Sequence, residues 1–316
     1  MNIGTLILLC ALGALSLWYI ARWYLLERAR PHDPVAGPSR PGFADGAIGF
    51  VANFLDTLGI GSFATTTAMF KLRRKPPDEQ IPGTLNAGNA LPTVGEALIF
   101  ITAVTVDLTT LISMIAAAVL GAWLGVGVVA RLPRRAIQVG MGVALLISAL
   151  LFLMRNLGWM PGGGDALALH DGRLLFAIGV NFVLGALMML GVGLYAPCLI
   201  LVSLLGMSPL AAFPIMMGAC AFLMPIGGAR FIQVNRYSLR AALGLTLGGI
   251  PGVLAAAFIV KSLPIVWLRW LVTLVVLYAA LLMLRSARST AKTGEPQAAV
   301  PSVHQPGGCQ PPPRAR

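Results

Sequence analysis

Asp56 sits in the segment Phe54-Leu55-Asp56-Thr57-Leu58-Gly59-Ile60-Gly61-Ser62, the one acid of that segment, just ahead of two glycines, with Thr65, Thr66 and Thr67 following. Helical backbone in lipid has to satisfy every N–H and C=O internally, so a glycine break is tolerated only where it is buried in protein or lines a cavity. Beyond such a break a new helix begins. Its first N–H groups have no intrahelical acceptor and carry the positive end of the helix dipole, so an anion can be held there without a permanent positive charge. Gly59, Gly61, Ser62, Thr65 and Thr66 are therefore candidate anion ligands. The alternative is that the glycines only let helices pack closely.

A second segment of the same kind stands at Gly191-Val192-Gly193, ahead of Tyr195-Ala196-Pro197. Gly191 and Gly193 are the matching candidates, because two helix starts converging from opposite sides would hold an oxyanion between them. Asp56 is a candidate proton-coupling group, since an acid inside a membrane is costly to keep and marks function by default. Its alternative role is to cap the helix, bonded to Thr57 or a nearby amide. Asn86 and Asn89 are three apart, so they share a helix face and offer donors without a charge. They either complete an anion cradle or join helices. Glu96, about two turns beyond Asn89, is a second protonatable candidate or a helix-pairing group. Arg230 reads as a cytoplasmic anchor or an anion gate.

The elements that position these residues are duplicated. Residues 50–100 recur without a gap at 182–232, with a constant shift of 191 − 59 = 132, and roughly a quarter of the paired positions are identical. Pro77 and Pro82 recur as Pro209 and Pro214, Ala87 as Ala219 and Gly95 as Gly227. The 316 residues are 57% hydrophobic and 11% charged, with a mean hydropathy of +0.83, which excludes a soluble globular surface and makes this a polytopic membrane protein. The formal net charge of +12 resides at the ends of apolar runs, as topology signals and lipid headgroup contacts, and calls for no nucleic acid.

Residues 3–21 are apolar and end at Arg22, Trp23 and Tyr24, a retained first helix with an interfacial anchor. Further apolar runs cover 44–70, 82–104, 106–130, 135–154, 173–205, 209–231, 238–260 and 264–284. If each crosses once, the 23 Lys and Arg divide roughly 14 to 9 between the two sides. If the two glycine-interrupted runs enter and return, the division becomes about 19 to 4, with only Arg155, Arg173, Lys261 and Arg269 outside. Each repeat then reverses the chain, so the copies are inverted, a recurring plan of alternating-access carriers.

The expected fold is thus an all-α polytopic membrane protein of two inverted helical repeats with glycine-broken or re-entrant segments, plus an extra N-terminal transmembrane helix. It divides into an N-terminal helix at 1–26, a polar linker at 27–43, a first repeat at 44–155, a connecting loop at 156–172, a second repeat at 173–285 and a disordered tail at 286–316. The four cysteines show no CxxC spacing and the three histidines fall in loops or the tail, so neither a metal site nor a cofactor is expected. No histidine lies within the apolar runs, and Asp56 has no acidic partner nearby in sequence. An intramembrane enzyme is accordingly disfavoured. A non-transporting scaffold, whose glycines serve packing alone, is the other alternative.

The order of Phe54-Leu55-Asp56-Thr57, glycine break, Thr-rich arm and a helix opening with Thr84-Leu85-Asn86 resembles the sulfite exporter TauE/SafE family, also called the 4-toluene sulfonate uptake permeases. The likeness runs over roughly 44–285. Two departures are the shortened glycine run, Gly59-Ile60-Gly61-Ser62, and Ala87 where the family has lysine. The resemblance implies a secondary transporter of small sulfur-containing or organic anions, such as sulfite or sulfonates, in the bacterial inner membrane, with the lipid bilayer and the anion as its partners.

Overall fold

A computed structural model describes residues 3–30, 40–159, 164–259 and individual helical positions between 270 and 288. Most of the apolar run at 264–284 and the tail at 286–316 lie outside the described residues. The helices are α1 (Ile3–Arg28), α2 (Phe43–Thr57), α3 (Ser62–Arg73), α4 (Ile81–Ala103), α5 (Leu108–Val129), α6 (Arg134–Asn156), α7 (Asp171–Met188), α8 (Tyr195–Leu204), α9 (Ala212–Gln233) and α10 (Leu239–Ile259). Six helical segments are long and apolar enough to cross a membrane. Helix α4 is not among them although it has 23 residues, because Thr84, Asn86, Asn89, Thr93 and Glu96 lie along it, all of them buried.

Both glycine-interrupted runs are split at the glycines. Gly59 has φ +76°, and its N–H donates to the Asp56 carbonyl while the Ile60 N–H donates to that of Leu55. This pairing of bonds around a left-handed glycine closes α2. The same two bonds recur 132 residues on, from Gly191 (φ +101°) to Met188 and from Val192 to Leu187, and close α7. The ends of α3 and α8 repeat one another too, at Arg74 (φ +54°) and Gly206 (φ +86°). Local backbone chemistry therefore places the same stops at the same offsets in both copies.

Helices α2 and α3, with 15 and 12 residues, reach only about 22 and 18 Å, short of the ~30 Å hydrocarbon core. Their outer ends meet: Arg73 Nη1, at the end of α3, lies 3.0 Å from Asp45 Oδ1, at the start of α2. The chain thus enters and returns to the end of the bundle from which it started. In the second copy the loop before α7 meets the end of α8, where the Ser208 N–H donates to the Ala166 carbonyl and the Gly164 N–H to that of Met207.

The two copies exchange helices. Helix α2 packs along α10, and α7 along α5. Both are parallel pairs, with Gly244, Gly248 and Gly252 against Asp45, Gly46 and Phe50, and with Met114 and Gly125 against Asn181 and Ala186. Contact is close enough that a Cβ at Gly121 would lie 1.8 Å from the Phe182 carbonyl oxygen, and one at Gly248 1.9 Å from that of Gly46. Small residues allow this approach, which replaces the hydrophobic driving force that lipid cannot supply. Helices α4 and α9, equivalent under the repeat, cross at the centre in antiparallel sense, Gly83 beside Phe231 and Ile101 beside Gly218. Helix α1 lies against this pair, its Tyr19 hydroxyl donating to the Ala87 carbonyl and its Trp23 Nε1 to the Tyr237 hydroxyl.

Candidate functional site

The start of α3 and the start of α8 face each other across a small cavity. Its lining contains five pairs of repeat-equivalent positions: 56 and 188, 61 and 193, 62 and 194, 63 and 195, and 64 and 196. Ser148 of α6 and Met224 of α9 complete the wall with Ile60. The cavity volume is about 20 Å³, room for a water or two. The backbone explains the location, because each Schellman-type stop ends one helix and lets the next begin with its amides pointing inward.

The two starts differ in what satisfies them. At α3, the Ser62 N–H donates to Asp56 Oδ1 at 2.7 Å, and Asp56 is 1% exposed. Asp56 Oδ2 is buried without a hydrogen-bond partner. Arg155, at the end of α6, donates to the Gly59 carbonyl at 3.0 Å and holds the same turn. At α8, Met188 stands in the place of Asp56 and no side chain caps the helix. Pro197 in the first turn of α8 suits the position, since it lacks an N–H where an acceptor is missing.

A buried polar chain extends from this cavity into α4. The Tyr195 hydroxyl donates to Glu96 Oε2 at 2.8 Å, and Thr57 Oγ1 donates to Glu96 Oε1 at 3.0 Å. Thr57 also donates to the Asn53 carbonyl, and Asn53 Nδ2 donates to Asn89 Oδ1 at 3.0 Å. Among the described residues neither Asp56 nor Glu96 has an ion-pair partner. Charging an unpaired buried carboxylate costs several kcal/mol, so each of these acids is sensitive to what enters the space beside it.

Of the residues expected from sequence, Asp56, Gly61, Ser62 and Gly193 line the cavity. Gly59 and Gly191 shape the two turns, against the Phe213 ring and the Met141 side chain. Thr65 bonds back to the Gly61 and Ser62 carbonyls of its own helix, and the Thr66 hydroxyl is buried without a partner. Asn86 and Asn89 do not line the cavity. Asn86 donates to the Pro82 carbonyl, and Asn89 is joined to Asn53 on α2, as the helix-joining alternative expects. Asp56 does cap α3, which was its alternative role, while also lining the cavity. Glu96 reaches the cavity only through Tyr195. Arg230 donates to the Trp123 carbonyl near the end of α5, an anchoring contact.

Tyr195, Thr57, Asn53 and Ser148 were not among the expected site residues. For Asn53 and Thr57 a signal exists, four residues apart on the helix face beside Asp56. Tyr195 is signalled only by its place after the second glycine pair. Ser148 carries none, as a single serine on an apolar helix that bonds to its own Ala144 carbonyl.

Comparison with curated proteins finds no match, and comparison with solved structures finds none either. A family model described as sulfite exporter TauE/SafE matches residues 2–152 and 174–310. The match corrects the extent read from the motifs, 44–285, because it begins at residue 2 and so takes in α1. With both repeats covered, this integral membrane protein belongs to the sulfite exporter TauE/SafE family of membrane transporters.

Proposed function

We propose that the protein is a secondary carrier of small sulfur oxyanions, sulfite or a short sulfonate, which bind between the starts of α3 and α8. The observation that supports this most is the cavity enclosed by five pairs of repeat-equivalent residues, with a helix start in each half. Such a position is where repeat-built carriers place substrate. Alternating access follows from inversion of the repeats, a reading supported by the antiparallel crossing of α4 and α9 and the exchange of α2 and α7 between halves. The end bearing Arg73, Arg134, Arg236 and Arg240 faces the cytoplasm under the positive-inside rule. Asp56 and Glu96 serve as protonatable groups that change charge as the anion passes, and outward movement follows the family's description as exporters.

Counterflow of labelled sulfite in proteoliposomes tests the reading. Exchange is expected with sulfite or a short sulfonate inside, and it should stop in Gly193→Leu, whose side chain fills the approach to the α8 amides. A panel of small anions that yields neither binding nor flux would leave a packing scaffold as the better account.

A further inference from the structure

The two helix starts are equivalent by sequence but not equally available. At α3 the Ser62 amide and the positive end of the helix are engaged by an anion built into the chain, since Asp56 Oδ1 accepts from the Ser62 N–H at 2.7 Å, while the Phe63 and Ala64 amides, equivalent to those of Tyr195 and Ala196, begin beside that carboxylate. The first amides of α8, a helix of ten residues, have no side-chain cap, and position 188 carries a thioether that accepts hydrogen bonds only weakly. Asp56 borders the same cavity, and its Oδ2 is buried and without a hydrogen-bond partner. A charged Oδ2 repels an oxyanion there, whereas a protonated one donates to it.

We propose that the substrate anion is seated on the amides of Tyr195 and Ala196 alone, and that the Asp56 Oδ2 hydroxyl closes the seat by donating to the anion, so that one proton enters the cavity with each anion. This deepens the carrier reading and rests on it. Helix α3 then serves as the fixed support of Asp56 and not as a second seat. The groups bearing on Asp56 from neighbouring elements are Glu96 on α4, Tyr195 on α8 and Cys220 on α9, with Arg155 of α6 at the Gly59 carbonyl. The other charges of its own hairpin lie at the far ends, where Asp45 pairs with Arg73 and Arg240 and Lys71 pairs with Asp78. Glu96 already accepts from Tyr195 and Thr57 through both oxygens, so Asp56 is the acid with an oxygen open to a new partner.

Equivalent substitutions in the two halves test this on the full chain in lipid nanodiscs. Ala196→Pro removes one amide donor from the start of α8, a first-turn position where proline is tolerated. Ala64→Pro does the same at α3. Calorimetric titration with sulfite should show Ala196→Pro weakening affinity by about tenfold or more, the loss of one charge-assisted bond, and Ala64→Pro weakening it by clearly less. In buffers of differing ionisation enthalpy, wild type should take up about one more proton per sulfite than Asp56→Asn, which keeps the cap through its amide oxygen. Equal weakening by the two prolines would overturn the single seat, and equal proton uptake by wild type and Asp56→Asn would overturn the closing hydroxyl. If Ala196→Pro does not fold, the proton count decides. Absence of sulfite and sulfonate binding in wild type would instead remove the carrier reading itself.

Discussion

The break between α2 and α3 and the break between α7 and α8 share their hydrogen-bonded stops and their left-handed glycines, yet their side chains differ in kind. The first is filled with polar chemistry: Asp56 caps α3, Arg155 holds the Gly59 carbonyl, and Asn53 and Thr57 connect it to α4. The second is apolar around Met188 and Leu194 and offers bare helix amides and the Tyr195 hydroxyl. Duplication thus preserved the backbone, which any bilayer-spanning break needs, while the side chains diverged. A symmetric site would present two anion seats. On our proposal this one presents a seat and a switch.

The comparison breaks most severely at the glycines themselves. Gly61→Leu and Gly193→Leu should each abolish sulfite binding, because both positions line the cavity. Only Gly61→Leu should also lower stability, by about 1–3 kcal/mol, since Gly61 has φ +92° and Gly193 lacks such a positive φ. Titration of purified variants with sulfite and thermal unfolding in detergent separate the two effects. Equal destabilisation would mean that Gly193 matters for packing. Restoring the missing acid with Met188→Asp should come next in size. The new carboxylate is expected to cap α8 and to weaken sulfite affinity about tenfold, and unchanged affinity would show that the asymmetry is incidental. Tyr195→Phe should have the smallest effect on sulfite affinity, its cost falling on unfolding instead, about 1–3 kcal/mol for leaving Glu96 Oε2 without its donor, which thermal unfolding in detergent measures. The equivalent Phe63→Tyr gains no such bond, because Gly228 stands where Glu96 does in the first half.

Much of the scaffold was legible in the sequence, and the reason is local. The constant 132-residue shift puts Gly59 over Gly191, and glycine at a helix stop is a local conformational requirement, so both stops were visible. The return of α2–α3 to its starting end was visible in charge placement, because Lys and Arg concentrate on one side only if the broken runs turn back. What local pattern did not disclose was partnership. Nothing near Glu96 in sequence points to Tyr195, 99 positions away, and nothing near Asn89 points to Asn53. The spacing of Asn86 and Asn89 placed them on one face without saying what that face meets. Thr65 illustrates the same limit from the other side: a hydroxyl next to a helix start can bond its own backbone, and it does. The exchange of α2 and α7 between halves likewise depends on glycine stripes in both partners, such as Gly185 with Gly121, which single runs do not reveal.

The central claim is that Asp56 couples a proton to an anion held between the two breaks, and the most direct test is sulfite flux in proteoliposomes under an imposed pH gradient. Wild type should respond to the gradient, and Asp56→Asn should transport sulfite at a rate indifferent to it. An equal response in both would contradict the account.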